Sequence, residues 1–223
     1  LFVNATAGDF HLSDSSLAID EANSSIADWP TNDAEGLRRW DDPSKTNGGA
    51  GSPAYADIGA YESFNRSFEF NENGWIPYDD TSPSCPNPAP TLLRVAGGQL
   101  GSWSLQVTAG GTQDTCQFGI NDSANWVAVT PFVGARYRVT AYVKSDSHNG
   151  QARIRVREYL GGQQKGTTTL SAAVTLSPTW TQLTVDYVVV ALGSTLDIQV
   201  LDYAPAIGGE IFQTDNISIG IVP

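Results

Sequence analysis

Residues 135–160 read ARYRVTAYVKSDSHNGQARIRVREYL, two alternating runs of apolar and polar side chains joined by a short polar turn. Side chains two positions apart lie on the same face of a β-strand, so each run has an apolar face and a polar face. In the first run the apolar face is formed by Tyr137, Val139, Ala141 and Val143, and the polar face by Arg138, Thr140, Tyr142 and Lys144. In the second run Ile154 and Val156 are expected to point inward, and Arg153, Arg155 and Arg157 outward. The stretch therefore predicts two strands of an antiparallel sheet with one buried face.

Further runs of strand character flank this stretch. They are SWSLQVTAG (102–110), NWVAVTPF (125–132), TTTLSAAVTL (167–176), TWTQLTVDYVVV (179–190), TLDIQVLDY (195–203) and TDNISIGIV (214–222). Within TLDIQVLDY the alternation places Leu196, Ile198 and Val200 inward, and Asp197, Gln199 and Leu201 outward. Eight or nine short antiparallel strands separated by Gly, Pro, Asn and Asp predict an all-β jelly-roll sandwich.

The composition supports β structure and argues against two classes of function. Thr, Val, Gly and aromatic residues are plentiful and Met is absent, a profile that favours strands and turns over helices. No run of about 18 apolar residues occurs, so no membrane span is predicted. The formal net charge of −12 argues against nucleic acid as a partner.

Residues 1–62 have little periodic pattern, and their many Asp, Asn, Ser, Gly and Pro residues favour turns. Such a segment cannot enclose a hydrophobic core by itself. The motif LFVNATAGDFHLSDSSLAID, followed later by ADIGAYE, resembles the C-terminal end of secreted right-handed parallel β-helix proteins of the choice-of-anchor type. The resemblance implies a terminal coil and cap, with the β-helix body and any catalytic face upstream. The chain starts at Leu1 without a leader, so we expect a processed or excised piece of a longer protein.

A second resemblance covers about the last 155 residues, a length that suits one sandwich domain. The motifs SFEFNENGW, GSWSLQVT, YRVTAYVKSD, WTQLTVDYVV and FQTDNISI are similar, in this order, to strands of carbohydrate-binding modules of families four, nine and twenty-two. The resemblance implies a sugar-binding sandwich with a structural calcium ion. The chain departs from the family pattern at Asn71-Glu72-Asn73, and at Tyr142, where Trp is commoner. The predicted organisation is a β-helix cap over 1–62, a short linker over 63–66 and a sandwich over 67–223.

One side of a predicted sheet combines aromatic, amide and guanidinium groups. This mixture suits sugars, because rings contact C–H patches and planar polar groups pair with hydroxyls or carboxylates. The candidate ligand-binding residues are Tyr142, Arg155 and Gln199, with Arg153, Arg157 and Arg138 near them and Trp126 at the rim. Three alternate arginines favour an anionic, uronic-acid polysaccharide over neutral cellulose or xylan. A merely solvated face, on which basic side chains serve solubility, is the alternative.

Two carboxylates and two cysteines are candidates for stabilising the sandwich. The first and last strands of a jelly roll lie side by side, so Glu69 and Asp215 could meet and, with backbone carbonyls, bind Ca²⁺. The second resemblance places a structural calcium at the matching positions, whereas two solvated acids are the alternative. A disulfide between Cys85 and Cys116 would contribute about 3–4 kcal/mol in the chain-entropy model. Buried free thiols are the alternative, and the disulfide interpretation favours a secreted or cell-surface protein.

No catalytic constellation is present in the sequence. His11 and His148 have no metal-ligand spacing, no G-x-S-x-G elbow occurs, and the pairs Asp41-Asp42 and Asp79-Asp80 are expected to be solvated. We therefore predict a monomeric, non-catalytic polysaccharide-binding module that targets a secreted parent, a polysaccharide lyase or hydrolase, to a glycan. The alternative is a structural or adhesive calcium-stabilised sandwich of a cell-surface protein that binds no sugar.

Overall fold

Alternating sequence patterns form two antiparallel sheets in the computed structural model, which describes residues 2–7, 9–13, 15–62, 67–72, 74–79, 89–110, 116–147, 149–203 and 209–222. In chain order the strands are β1 (Phe2–Asn4), β2 (Asp9–Leu12), β3 (Trp75–Asp79), β4 (Thr91–Ala96), β5 (Trp103–Thr108), β6 (Phe118–Asp122), β7 (Arg136–Lys144), β8 (Gln151–Leu160), β9 (Gln163–Leu170), β10 (Val174–Thr175), β11 (Thr181–Val188), β12 (Thr195–Tyr203) and β13 (Ile211–Ile221). A single 3-10 turn, Ala5–Ala7, connects β1 to β2. The described part of the chain is thus all-β, which confirms the predicted fold class.

The first sheet has six strands in the order β10-β8-β12-β6-β3, with β9 also paired to β8. At its centre β8 and β12 pair continuously, from Thr195 opposite Tyr159 to Tyr203 opposite Gln151. The second sheet has five strands in the order β11-β7-β13-β5-β4. The inner faces of the two sheets share one hydrophobic core, in which β7 and β8 belong to opposite layers.

The predicted inward positions are buried. Val139 and Ala141 of β7, Ile154 and Val156 of β8, and Ile198 of β12 are all fully buried in this core. The alternation of burial is therefore confirmed in β7 and β8, whereas in β12 the outward positions 197, 199 and 201 are buried as well. Because the side-chain period of a strand is two, these positions also determine which residues point away from the core.

Glu158 is the exception, a charged residue on the inward side of β8 that is completely buried. Its carboxylate accepts hydrogen bonds from the Ser194 hydroxyl, the Tyr187 hydroxyl and the backbone amides of Val190 and Ala191, at 2.5–2.9 Å. Burial alone would raise the pKa of Glu158, but these hydrogen bonds outweigh it and lower the pKa below its usual value. The carboxylate therefore replaces apolar packing at this end of the core and holds the segment after β11.

Three details of the strand prediction are wrong. Residues 126–132, all of which the structure describes, form no strand, and within them Val127 makes only single bridges to Leu37 and Leu196. Residues 67–70 form bends rather than the first strand of the sandwich, which begins at Trp75. Strands β4 and β6 were missed, because their runs are short and their alternation is weak.

The first 62 residues are organised by buried carboxylates rather than by a core of their own. Asp33 accepts hydrogen bonds from the backbone amides of Glu35 and Leu37 at 2.9 and 2.8 Å, and from that of Glu62 at 3.0 Å. The Glu62 carboxylate pairs in turn with Arg39 at 2.7 Å, and both side chains are buried. The segment has one small hydrophobic cluster of its own, formed by three residues, so polar contacts supply much of its order. Its interpretation as a β-helix cap stays a prediction, as do the domain boundaries, and residues 63–66 lie outside the described part.

This segment also contributes to the sandwich itself. Leu37 belongs to the main hydrophobic core. The backbone carbonyl of Glu35 accepts a hydrogen bond from the Tyr137 hydroxyl. The Glu35 carboxylate accepts one from the Ile221 amide at 2.8 Å and lies 3.1 Å from Nε2 of His11, whose Nδ1 is 2.7 Å from Asp9. Glu35 therefore connects the N-terminal hairpin to the start of β7 and to the end of β13.

Replacing His11 by Asn should reduce stability in a pH-dependent way. The hydrogen bond with Glu35 is the largest contribution that raises the pKa of His11 to about 9, so the protonated ring stabilises the fold completely below its unfolded pKa of 6.5. That contribution is lost as the pH rises through about 9. We expect His11→Asn to cost about 1–2 kcal/mol at pH 6, allowing for partial exposure, and much less at pH 10. Urea unfolding of both proteins at each pH measures the difference, and a pH-independent difference would contradict the ion-pair assignment.

Candidate ligand-binding face and cation site

The outer side of the six-stranded sheet combines the polar residues of four adjacent strands. We call it the arginine face, and define it by Tyr78, Gln117, Gly119, Asn121, Arg153, Arg155, Arg157, Tyr159, Asp197, Gln199, Leu201 and Tyr203. The ladders place these residues in rows, one of which is Arg155, Gln199 and Asn121 across β8, β12 and β6. A second row is Arg153, Leu201 and Gly119, which continues to Tyr78 of β3.

Arg155 lies at the centre of this face and contacts groups from three other chain segments. Its Nε donates to Oε1 of Gln199, and its Nη1 donates to Oε1 of Gln117 at 3.2 Å. Its guanidinium lies 4.8 Å from the centroid of the Tyr78 ring. Gln199 is only 1% exposed, so Arg155 covers it from the solvent side.

The two neighbouring arginines of β8 also lie over rings but differ in charge pairing. Arg153 lies 5.4 Å from the centroid of Tyr203, and Arg157 lies 5.7 Å from that of Tyr159. Arg157 additionally pairs with Asp197, with Nε and Nη2 at 2.8 and 2.7 Å from Oδ2. Burial alone would lower the pKa of Arg157, but the adjacent Asp197 carboxylate raises it overall.

Several polar atoms of the arginine face are shielded from solvent and have no hydrogen-bond partner. They are Nε of Arg153, Nη2 of Arg155 and Oδ1 of Asn121. Buried polar groups are normally satisfied by protein, water or ligand. The three side chains are partly exposed, so a polar molecule that displaces the groups covering these atoms would satisfy two N–H donors and one acceptor on the same face.

Sequence reasoning placed three candidate residues wrongly. Tyr142 and Arg138 lie on β7 of the five-stranded sheet, so their side chains are on the opposite side of the sandwich from Arg155. Arg138 is exposed and forms a two-point ion pair with Asp186 at 2.7 and 2.8 Å. Trp126 is 3% exposed and packs against Trp75 at a centroid distance of 4.6 Å, so it belongs to the core rather than the rim. Alternation identifies the outward side of each strand, but it does not identify the sheet that contains the strand.

Sequence reasoning missed other residues of the arginine face, although the strand alternation indicated some of them. Tyr203 occupies an outward position by continuation of the alternation that includes Asp197 and Gln199. Tyr159 continues the series of Arg153, Arg155 and Arg157 in the same way. Tyr78, Gln117 and Asn121 lie on or beside strands that sequence reasoning did not recognise, so no signal placed them here.

Glu69 and Asp215 do come together, although not through adjacent first and last strands. Both carboxylates bind the connection between β4 and β5. Oε1 of Glu69 accepts from the amides of Ser102 and Trp103 at 2.8 Å each, and Oδ2 of Asp215 accepts from those of Gln99 and Leu100 at 2.6 and 2.8 Å. The turn between these strands thus brings together two acids that are distant in sequence.

The arrangement leaves negative charge and one oxygen unsatisfied. Burial and, to a smaller extent, the nearby Glu69 charge raise the pKa of Asp215 to about 6, against the opposing effect of the backbone amides. Oδ1 of Asp215 is buried without a hydrogen-bond partner. No group of three or more His, Cys, Asp or Glu side chains suited to a metal ion occurs in the described residues. Two carboxylates with one unpartnered oxygen are donors of the type that a hard cation takes, and its remaining ligands would have to be backbone carbonyls or water.

The disulfide prediction is not tested by these contacts. Cys116 is buried, but Cys85 lies outside the described residues. Within the described ranges no helix is long and apolar enough to cross a membrane.

Comparisons with known proteins give structural matches only. No family model and no curated protein matches the chain. Among solved structures, the CBM22-1 xylan-binding domain from Paenibacillus barcinonensis Xyn10C matches with a TM-score of 0.51 and 18% identity, over 71% of this chain and 93% of that one. At this identity the likeness shows the fold alone: the chain has the β-sandwich fold of carbohydrate-binding modules.

Two larger proteins contain a similar sandwich. The CBM22-1–GH10 modules of a Clostridium thermocellum endo-1,4-beta-D-xylanase, complexed with xylohexaose, match with a TM-score of 0.53 and 14% identity over 71% of this chain. The chain spans only 28% of that xylanase structure. The enzymatically active domain of bacteriophage CBA120 tailspike protein 4 matches with a TM-score of 0.52 and 12% identity, over 71% of this chain and 21% of that one.

Replacing Gly101 by Ala should reveal the contact between Glu69 and the β4–β5 turn. Gly101 has φ +73°, and a Cβ there would lie 2.5 Å from Oε1 of Glu69. Gly97 has a similar φ of +97° but nothing within 4 Å of its Cβ position, so Gly97→Ala is the matched control. We expect losses of about 1 kcal/mol for Gly97→Ala and about 2–3 kcal/mol for Gly101→Ala in urea unfolding, because only the latter adds a clash to the left-handed backbone strain. Equal losses would contradict the placement of Glu69.

Proposed function

We propose that the arginine face binds polysaccharide without cleaving it, and that this chain is the monomeric targeting module of a secreted or cell-surface parent protein. The observation that carries the proposal is the set of shielded, unpartnered atoms on Arg153, Arg155 and Asn121 beside ordered tyrosine rings. Sugar hydroxyls and carboxylates are the groups that planar guanidinium and amide side chains bind in pairs.

The geometry suits binding because its planar groups are held in place before the ligand arrives. Arg155 is hydrogen-bonded to Gln199 and Gln117 and lies over Tyr78, so few of its rotamers remain to be restricted on binding. Ordering a long side chain otherwise costs about 0.5–1.5 kcal/mol. A preorganised face can therefore hold a hydroxylated chain by several modest contacts.

The charge of the face favours an anionic glycan. Its described side chains include three arginines and one carboxylate, Asp197, on a chain whose net charge is −12. This local excess of positive charge attracts carboxylates, so the face discriminates between glycans by their charge more than by the surface area that they bury. A uronic-acid polysaccharide fits these groups better than a neutral one.

Support for glycan binding also comes from the structural matches, one of which is a xylan-binding domain and another of which is complexed with xylohexaose. Glycoside hydrolysis needs two carboxyl groups at defined separation. Asp197 is the one carboxylate among the described side chains of the arginine face, and it is paired with Arg157. The face is accordingly proposed to bind and not to cleave, and any hydrolase or lyase activity is assigned to the parent protein.

Replacing Arg155 by Ala should weaken glycan binding by at least about tenfold, because it removes the central guanidinium and uncovers Gln199. Isothermal titration with polygalacturonate and with xylan measures the effect. Arg138→Ala and Tyr142→Ala, on the opposite sheet, are the controls and should bind as the unmodified chain does.

Unchanged glycan binding by Arg155→Ala would show that the binding site is not on the arginine face. Failure of the unmodified chain to bind any glycan would overturn the proposal and favour the alternative, a structural or adhesive sandwich of a cell-surface protein.

We further propose that Glu69 and Asp215 hold a structural Ca²⁺, whose charge would offset their mutual repulsion and bind the unpartnered Oδ1 of Asp215. An ion at a hundredfold excess over its Kd stabilises the folded state by about 2.7 kcal/mol. The ion would secure the turn between β4 and β5.

Calcium should therefore raise the melting temperature of the unmodified chain relative to EDTA, and Glu69→Gln should lose that increase. Glu72→Gln, which removes an exposed acid three residues away, is the matched control and should keep it. Because each variant is compared with itself, a general loss of stability does not obscure the result. No calcium-dependent shift in the unmodified chain would contradict the site.

A further inference from the structure

The three arginines of β8 are not equivalent, because their partners leave them with different free charge. Arg157 is neutralised by Asp197, which also lies 3.4 Å from Nε2 of Gln199 and is only 8% exposed. Arg155 is hydrogen-bonded to two neutral amides and keeps its positive charge. Arg153 pairs with no carboxylate among the described residues and contacts the Tyr203 ring.

The free charge and the unpartnered donors occur at the same end of the face. Nε of Arg153 and Nη2 of Arg155 are both shielded and unpartnered, and the two residues are about 6.7 Å apart along β8. A carboxylate located between them would accept a hydrogen bond from each. The Arg157–Asp197 end lies about 13 Å from Arg153 and presents a neutral pair that includes an acidic group.

The row between these ends carries neutral amides. Arg155 is in register with Gln199, and Gln199 with Asn121. Gln199 is covered by Arg155, whereas Asn121 is partly exposed, and Leu201 in the row beside Arg153 is fully buried. An amide both donates to and accepts from hydroxyl groups, so the middle of the face suits a neutral sugar rather than a second carboxylate.

We propose that the arginine face selects polysaccharides in which carboxylates are separated by neutral sugars, and that it discriminates against polymers charged at every sugar. Arg153 and Arg155 bind one carboxylate. Asp197 is the specificity-determining residue, because it pairs with Arg157 and leaves that arginine no free charge for a second carboxylate at the other end. A site that cannot compensate a second charge gives specificity that attractive contacts alone do not. This inference rests on the proposed glycan-binding function of the same face.

The test compares polymers that share a backbone but differ in charge spacing. Homogalacturonan has a carboxylate on every sugar when it is unesterified, separated carboxylates when about 50% is methyl-esterified, and almost none at about 95%. Glucuronoxylan and its carboxyl-reduced form provide the same comparison on a second backbone. On at least one of the two backbones, the unmodified chain should bind the form with separated carboxylates about tenfold more tightly than the neutral form. It should also bind half-esterified homogalacturonan about tenfold more tightly than the fully charged polymer.

Two variants and two matched controls assign the residues. Arg153→Gln should reduce binding of the separated-charge form to the level of the neutral form. Asp197→Asn should raise binding of the dense form by about tenfold and leave the neutral form unchanged, because it frees Arg157. Arg138→Gln and Asp186→Asn remove the same charges from the ion pair on the opposite sheet and should change neither ratio.

The outcomes separate this inference from the function on which it rests. No binding of any form by the unmodified chain overturns both. Binding that is equal for all forms, or tightest for the dense polymer, overturns the inference and leaves the proposed function in place. If Asp197→Asn has a melting temperature that shows it is folded and still prefers the half-esterified to the fully charged polymer, Asp197 does not determine the specificity.

Discussion

The continuous ladder between β8 and β12 is the constraint on which both the core and the arginine face depend. It places Ile154 opposite Val200 and Arg155 opposite Gln199 in alternate rows of the same pairing. A slip of one residue would exchange the two faces of either strand, moving arginine toward the core and isoleucine toward solvent. The large cost of that exchange keeps the register unique, and a unique register aligns the polar groups of three neighbouring strands. The precision of the face is thus a consequence of hydrophobic burial on its other side.

Sequence periodicity predicted the inward and outward positions of the long strands correctly, and this was enough to identify Arg153, Arg155, Arg157 and Gln199 as neighbours. It did not predict that Tyr142 faces away from them. Strands β7 and β8 follow each other in the chain, yet they belong to different sheets, and alternation contains no information on that choice. Trp126 was misplaced for a related reason, because an aromatic residue in an irregular segment has no period from which its burial can be inferred.

The cation site shows a different limit of sequence reasoning. The two acids were identified from their chemistry and from a family resemblance, and they do approach each other. The expected cause, adjacent terminal strands, is wrong: Glu69 lies in a bend, and the backbone amides of the β4–β5 connection gather both carboxylates. Backbone amide donors are present in every residue except proline, so the sequence gives little indication of where they converge. Glu158 illustrates the same point, since its pattern position is apolar and only the surrounding donors make a carboxylate tolerable there.

The insertion of Leu37 into the sandwich core has a consequence for how this module can be exchanged between proteins. A genetic cassette cut at residue 62 would separate the strands from a side chain that fills their core and from the Glu35 groups that accept hydrogen bonds from Tyr137 and Ile221. Recombination at that seam would transfer an incomplete domain with an open end. A cassette that begins upstream of residue 33 keeps Glu35 and Leu37 together with the strands that they complete.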